Sequence, residues 1–191
     1  MSSVILGIID SGGAAAGSAS SYGSIATVTV GSGGAANVAF TSIPATYTHL
    51  QVRAISRSDR ASSAGDGMLV QFNLDTGANY SYHFLQGDGS SAIAGSGTSV
   101  TSMIIPRSGS ATQTAGIFGA TVLDILDYKD TNKYKTIRTL GGNDANGSGI
   151  VSFFSGSWQN TNAIASITID QQNGSNFVQY TQFALYGIKG A

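Results

Sequence analysis

The sequence predicts an all-β fold, a two-sheet antiparallel sandwich with jelly-roll topology, and three observations carry that expectation. The 191-residue chain has no glutamate, so all ten of its acids are aspartates. Glutamate favours helices, whereas Asp, Asn, Ser and Gly favour caps and turns. Its 26 glycines gather in turn-like clusters such as Gly31-Ser32-Gly33-Gly34 and Gly87-Asp88-Gly89. Between the clusters apolar residues recur with a period of two, the signature of strands with one face inside and one outside.

Each element follows from that alternation. Ala26, Val28 and Val30 alternate with threonines, and a glycine turn leads into Asn37–Phe40. Leu50, Val52 and Ala54 alternate with His49, Gln51 and Arg53. Met68, Val70, Phe72 and Leu74 form one apolar face, and Tyr80, Tyr82 and Phe84 form the next. Ile117 to Leu126 reads as a long strand with a break or bulge near Gly119. Tyr134 to Leu140, Ile150 to Phe154, Ile164 to Ile169 and Phe177 to Ile188 bring the count to roughly ten. Residues 86–99 and 141–149 read as polar loops, and Ile43–Tyr47 has room for a single turn of helix. Val28, Phe40, Leu50, Val52, Val70, Phe72, Val122, Ile167 and Phe183 are expected to face inward. A jelly roll suits long antiparallel strands of this number and shields edges that a charge-poor chain would leave open.

Residues 1–21 read as an N-terminal arm and 22–191 as a single sandwich domain. The low-complexity stretch from Asp10 to Ser24, which spans the end of the arm, is too poor in large side chains to build a core. Its tip carries Val4, Ile5, Leu6, Ile8 and Ile9. No basic residue precedes this run and Asp10 ends it, so it has neither the flank of a secretory signal nor the ~20 apolar residues of a spanning helix. Packing against another chain is the expected use of such a tip, and membrane insertion is not expected.

Composition narrows the function further. Charged residues make up 10% of the chain and the net charge is −1, so the basic footprint of a nucleic-acid binder is missing. Without cysteine there is no disulfide and no thiolate metal site. His49 and His83 are the only histidines, each on the polar side of an alternating strand, where neither has a triad to serve. Asp124, Asp127 and Asp130 form the densest acid cluster. The first two, three residues apart on a strand, point to opposite faces, so pairing with Lys129 or Lys133 suits the cluster better than glycoside hydrolysis. No catalytic residue, cofactor or metal is expected. Tyr80, Tyr82 and Trp158 present the flat area that glycan platforms and interface anchors use, with core packing as the competing role.

The segments Phe40-Thr41-Ser42-Ile43-Pro44-Ala45-Thr46-Tyr47-Thr48-His49-Leu50-Gln51-Val52-Arg53, Asn79-Tyr80-Ser81-Tyr82, Ile125-Leu126-Asp127-Tyr128, Tyr134-Lys135-Thr136, Ser155-Gly156-Ser157-Trp158 and Asn176 to Ile188 resemble a family common in tailed-bacteriophage genomes. The resemblance spans about residues 22–190 and implies a non-enzymatic virion structural protein: tail-fibre-like, receptor-binding or on the capsid surface. It implies other virion proteins as partners, a major capsid protein or tail proteins. A homo-oligomer, first of all a trimer, is expected. With the arm as anchor, a capsid decoration or cement protein is the leading expectation, and a fibre tip binding a host-surface glycan through the 86–99 and 141–149 loops is the alternative.

Overall fold

The computed structural model describes residues 21–61, 63–173 and 176–190. All but the last residue of the expected arm, and with it Val4, Ile5, Leu6, Ile8 and Ile9, lie outside them. No helix occurs among the described residues, as the absence of Glu and the wealth of turn residues require. The Ile43–Tyr47 segment is a turn and not a turn of helix.

Twelve strands follow one another along the chain. They are β1 (Tyr22–Thr29), β2 (Asn37–Phe40), β3 (His49–Ser56), β4 (Asp66–Phe72), β5 (Tyr80–Gly87) and β6 (Ala92–Val100). The second half supplies β7 (Met103–Ser108), β8 (Gly119–Leu126), β9 (Lys135–Asp144), β10 (Gly149–Trp158), β11 (Ile167–Gln171) and β12 (Gln182–Ile188). An eight-stranded sheet in the order β1-β12-β3-β8-β9-β10-β5-β6 packs against a four-stranded sheet in the order β2-β11-β4-β7. Within these, β1 pairs with β12, β2 with β11, β3 with β8 and β4 with β7, all antiparallel. Nested pairs that alternate between two sheets are jelly-roll connectivity. The hairpins β5–β6 and β9–β10 are insertions into that roll, and together they extend the larger sheet beyond β8.

The core lies where the two sheets face each other. Leu50, Val52, Leu123, Ile125, Ile137, Phe183 and Leu185 on one side meet Val38, Phe40, Met68, Val70, Phe72, Met103, Ile105, Ile167 and Ile169 on the other. Of the nine residues expected inside, Phe40, Leu50, Val52, Val70, Phe72, Ile167 and Phe183 are buried, and Val28 is half-buried against the core. Val122 is the exception, 37% exposed on the outer face of β8 while Leu123 and Ile125 point in. It shares its phase with Asp124, and the carboxylate takes the solvent side. Leu74 is also exposed, because the chain leaves β4 at Asn73 and Leu74, both at positive φ.

The strand count exceeds the expected ten by two: residues 86–99 are a hairpin and not a loop, which adds β6, and Met103–Ser108, for which no strand was expected, adds β7. Strand β6 has few large side chains of its own. The Tyr82 and Phe84 rings of its neighbour lie over Gly97 and Gly95, where an added Cβ would come within 2.6 and 2.7 Å of them. Aromatic cover of this kind gives a glycine-rich edge strand the packing it lacks. A similar device closes the other edge: Tyr47 lies over the cross-strand pair Gly23 and Gly187. A Cβ at Gly187 would overlap the Tyr47 ring. Gly187→Ala is therefore expected to lower stability by about 1–3 kcal/mol, the usual cost of overpacking, read as a lower urea midpoint at unchanged slope.

Candidate functional site

Two of the three aromatics singled out as platforms are core residues. Tyr80 is fully buried and Trp158 is 1% exposed. Their rings and that of Phe72 form one cluster with centroids 5.7–6.4 Å apart. The Trp158 indole N–H donates to Asp75 Oδ2 at 2.8 Å, and the Tyr80 hydroxyl accepts from the Phe72 N–H at 2.9 Å. Burial pushes the Tyr80 phenol up to about 12. Tyr82 is half-buried over Gly97. Tyr80 and Trp158 thus cannot stack on a ligand, and the competing role of core packing is the one they fill.

The acid cluster is taken up by local pairing. Asp127 and Asp130 both face Lys133, at 2.5 and 3.5 Å, while Lys129 instead reaches the Ala45 carbonyl. Asp124 pairs with Arg138 at 3.0 Å and accepts from Gln51. His49 Nδ1 accepts the Asp127 backbone N–H at 2.9 Å. His83 lies four strands away from His49 in the same sheet, roughly 19 Å at ~4.8 Å per strand.

Two surfaces remain, and both come from an inversion of polarity in the extension of the larger sheet. Register places Val122, Leu140, Phe153 and Leu85 side by side across β8, β9, β10 and β5, all on the outer face. The next outward row continues Ile55, Ala120, Gly142, Val151, Gly87 and Ala92. Leu140 is 55% exposed, Val151 59% and Leu85 58%. On the inner face of the same strands, Thr121, Thr139, Asn143 and Ser152 are buried. Apolar side chains thus face water where polar ones face the interior. The two outer rows cover roughly 24 by 14 Å, on the order of 300 Å². Two shallow hollows of about 530 and 280 Å³ share Leu140 as their divide. One end is closed by Arg53, whose guanidinium lies 5.3 and 5.5 Å from the Tyr22 and Tyr186 rings. The adjoining outward row is polar: Tyr186, Gln51, Asp124, Arg138, Ser155 and His83.

The second surface is a polar hollow of about 500 Å³ on the inner side, at the tips of the inserted hairpins. The β5–β6 turn contributes Asp88, Ser90 and Ser91, and the β9–β10 turn contributes Gly147, Ser148 and Gly149. Arg107 of β7 closes it from the smaller sheet, and Ile93 and Ile150 give it apolar patches. The Asp88 carboxylate is fixed by the Ser90 and Ser91 N–H groups, both at 2.8 Å, which hold it below the usual carboxylate range. Residues 141–149, read as one loop, are the ends of two strands with a turn over 145–148. That correction matters, because a strand fixes Asn143 where a loop would not.

No family model, curated protein or solved structure matches the chain. What the fold and surfaces define is a jelly-roll sandwich with an inserted two-hairpin extension that carries an apolar outer face and a polar inner hollow.

Proposed function

We propose that the protein is a non-enzymatic structural component of a bacteriophage particle surface, a homo-oligomeric capsid decoration protein, with the outer face of the larger sheet as its subunit interface. The observation that carries this reading is the inverted polarity of the extension. Val122, Leu140, Phe153, Leu85 and Val151 stand in water while Thr139 and Ser152 are buried beneath them. A monomer gains nothing from that arrangement, whereas an interface centre needs it. About 300 Å² of apolar surface is too little for a whole interface of ~800 Å² per partner, yet it suits the centre of one. The polar row from Gln51 through Asp124 and Arg138 supplies a rim on one side.

The phage assignment draws on the motif resemblance over residues 22–190 and on an architecture of the kind used in capsids. The apolar tip, Val4 to Ile9, precedes β1 at the edge of the larger sheet and is the proposed anchor to the major capsid protein. A receptor-binding role at a fibre tip draws instead on the polar hollow. The two readings part on location. Sub-nanometre imaging of purified particles is expected to show this protein over capsomer junctions, with loss of occupancy when residues 2–10 are deleted. Finding it only on tail fibres overturns the decoration reading.

A further inference from the structure

The two outward apolar rows differ in size on every strand from β8 to β5. Val122 stands beside Ala120, Leu140 beside Gly142, Phe153 beside Val151 and Leu85 beside Gly87. The first row is a ridge and the second a trough. Gly142 keeps the trough open, because an added Cβ there would overlap the Ile150 carbonyl oxygen. A hollow of about 600 Å³ runs along the trough, bordered by Gly87, Gly142, Val151 and Asp144. The same face carries opposite charges along β9. Arg138 lies one outward position beyond Leu140, and Asp144 lies one beyond Gly142. Six residues of strand hold them roughly 20 Å apart, so they cannot meet within one subunit. Arg138 is exposed and meets Asp124 through one nitrogen only. Asp144 is exposed, accepts the Asn146 N–H of its own turn, and has no cation among the described residues.

From this we infer that the outer face pairs with the same face of a second copy, about a two-fold axis that crosses the strands between ridge and trough. The inference rests on the reading of this face as the subunit interface and adds the partner surface and the symmetry. The axis lies in the plane of contact and reverses the strand direction of the second copy. Each ridge residue then sits over the trough residue of the same strand, Leu140 over Gly142 and so on along the row. A two-fold interface has to be complementary to itself, and a ridge beside a trough of equal length meets that condition. The same operation sets Arg138 of each copy against Asp144 of the other, so the ion pair forms twice. Face-packed sheets cross at about 30°, an offset that a long guanidinium arm absorbs. An axis running along β9 would instead stack ridge on ridge and Arg138 on Arg138, so size and charge both select the crosswise axis. From the row of Arg138 to the trough the face covers roughly 24 by 20 Å, about 500 Å² of sheet before side-chain relief is counted. A stable interface takes ~800 Å² per partner.

The test is charge exchange in the full chain, read by sedimentation. The wild type is expected to sediment as a dimer. Arg138→Asp and Asp144→Arg each bring like charges together at two places, and each is expected to weaken the dimer tenfold or more. In an equal mixture of the two variants both contacts are acid–base pairs again, so the mixture is expected to recover as a one-to-one heterodimer. The chain has no cysteine, which allows a second readout by distance. Arg138→Cys mixed with Asp144→Cys is expected to cross-link through a short bismaleimide. Either cysteine variant alone is not, because like positions lie roughly 20 Å apart across the axis. Should a charge reversal unfold the subunit, the cysteine pair still decides. The inference is overturned if the wild type is a trimer, if either reversal leaves association as tight as before, if the mixture stays monomeric, or if Arg138→Cys cross-links to itself. The outer face remains the interface in those cases where Leu140→Asp with Phe153→Asp still dissociates the wild-type assembly. A wild type that is monomeric at all concentrations overturns the inference and the interface together.

Discussion

Trp158→Ala is expected to lower the thermal midpoint by about 10–20 °C. Truncating a buried Trp costs about 3–5 kcal/mol, and a hydrogen bond to a carboxylate adds about 1.5–3 kcal/mol, less any overlap between the two. For a chain of this size each kcal/mol shifts the midpoint by about 2–4 °C. Trp158 stands at the end of β10, where it joins the Phe72 ring of the smaller sheet to the Tyr80 ring of the inserted hairpin. Losing it loosens the extension from the roll as well as opening a cavity. Trp158→Phe separates the two contributions by keeping most of the packing and removing only the indole N–H. That N–H, followed by the Asn79 amide, holds the Asp75 carboxyl below its ordinary 3.8. A carboxyl with a depressed folded-state pKa stabilises the fold above pH 3.8, and the contribution fades as pH falls through the lower folded value. The gap between wild type and Trp158→Phe is therefore widest at neutral pH and narrows below pH 3.8. A constant gap across that range would mean that the hydrogen bond to Asp75 contributes nothing to stability.

The same residues show what could be read in advance. In β3, β4 and β11 apolar and polar residues alternate in the ordinary sense, so Leu50, Val70 and Ile167 could be placed inside from sequence alone. Toward the hairpin-tip ends of β9 and β10 the sense is reversed, with Thr139 and Ser152 buried and Leu140 and Phe153 exposed, whereas Ile137, Phe154 and Trp158 in the same strands are buried in the ordinary sense. A periodic pattern fixes which residues share a face, not which face meets the core. That choice depends on where the smaller sheet ends, and the smaller sheet stops short of the extension's outer strands. Asp124 did carry a usable signal for Val122, since the two share a phase. Nothing local marked Asn143. Its position rests on the register with Ile150 and on Arg107 arriving from the other sheet, both long-range facts. For Tyr80 and Trp158 the sequence leaves platform and core packing both open, for a related reason. Amphipathic aromatics serve cores and surfaces alike, and only the partners waiting inside, the Phe72 backbone and the Asp75 carboxylate, settle which.

Leu140→Asp combined with Phe153→Asp is expected to weaken self-association by about 10²–10⁴-fold while leaving the subunit folded. The two residues are cross-strand neighbours at the centre of the outer apolar row, 55% and 45% exposed. Exposure means that the isolated subunit loses little packing, and surface substitutions usually stay within ±0.5 kcal/mol. In an interface each side chain contributes about 1.5–3 kcal/mol when covered, and 1.4 kcal/mol is tenfold in affinity. A carboxylate in place of either would also be stripped of water with no cation to meet it, since Arg53 stands at the far end of the row beside Val122. Sedimentation analysis of the full chain gives the association state, and circular dichroism with a urea melt gives the fold. A wild-type protein that sediments as a monomer at all concentrations removes the homo-oligomer from the proposed function. A double variant that associates as tightly as wild type moves the interface elsewhere. Unfolding of the variant would show instead that Leu140 and Phe153 hold the extension together, and that the reversed alternation of β9 and β10 serves the subunit rather than its neighbour.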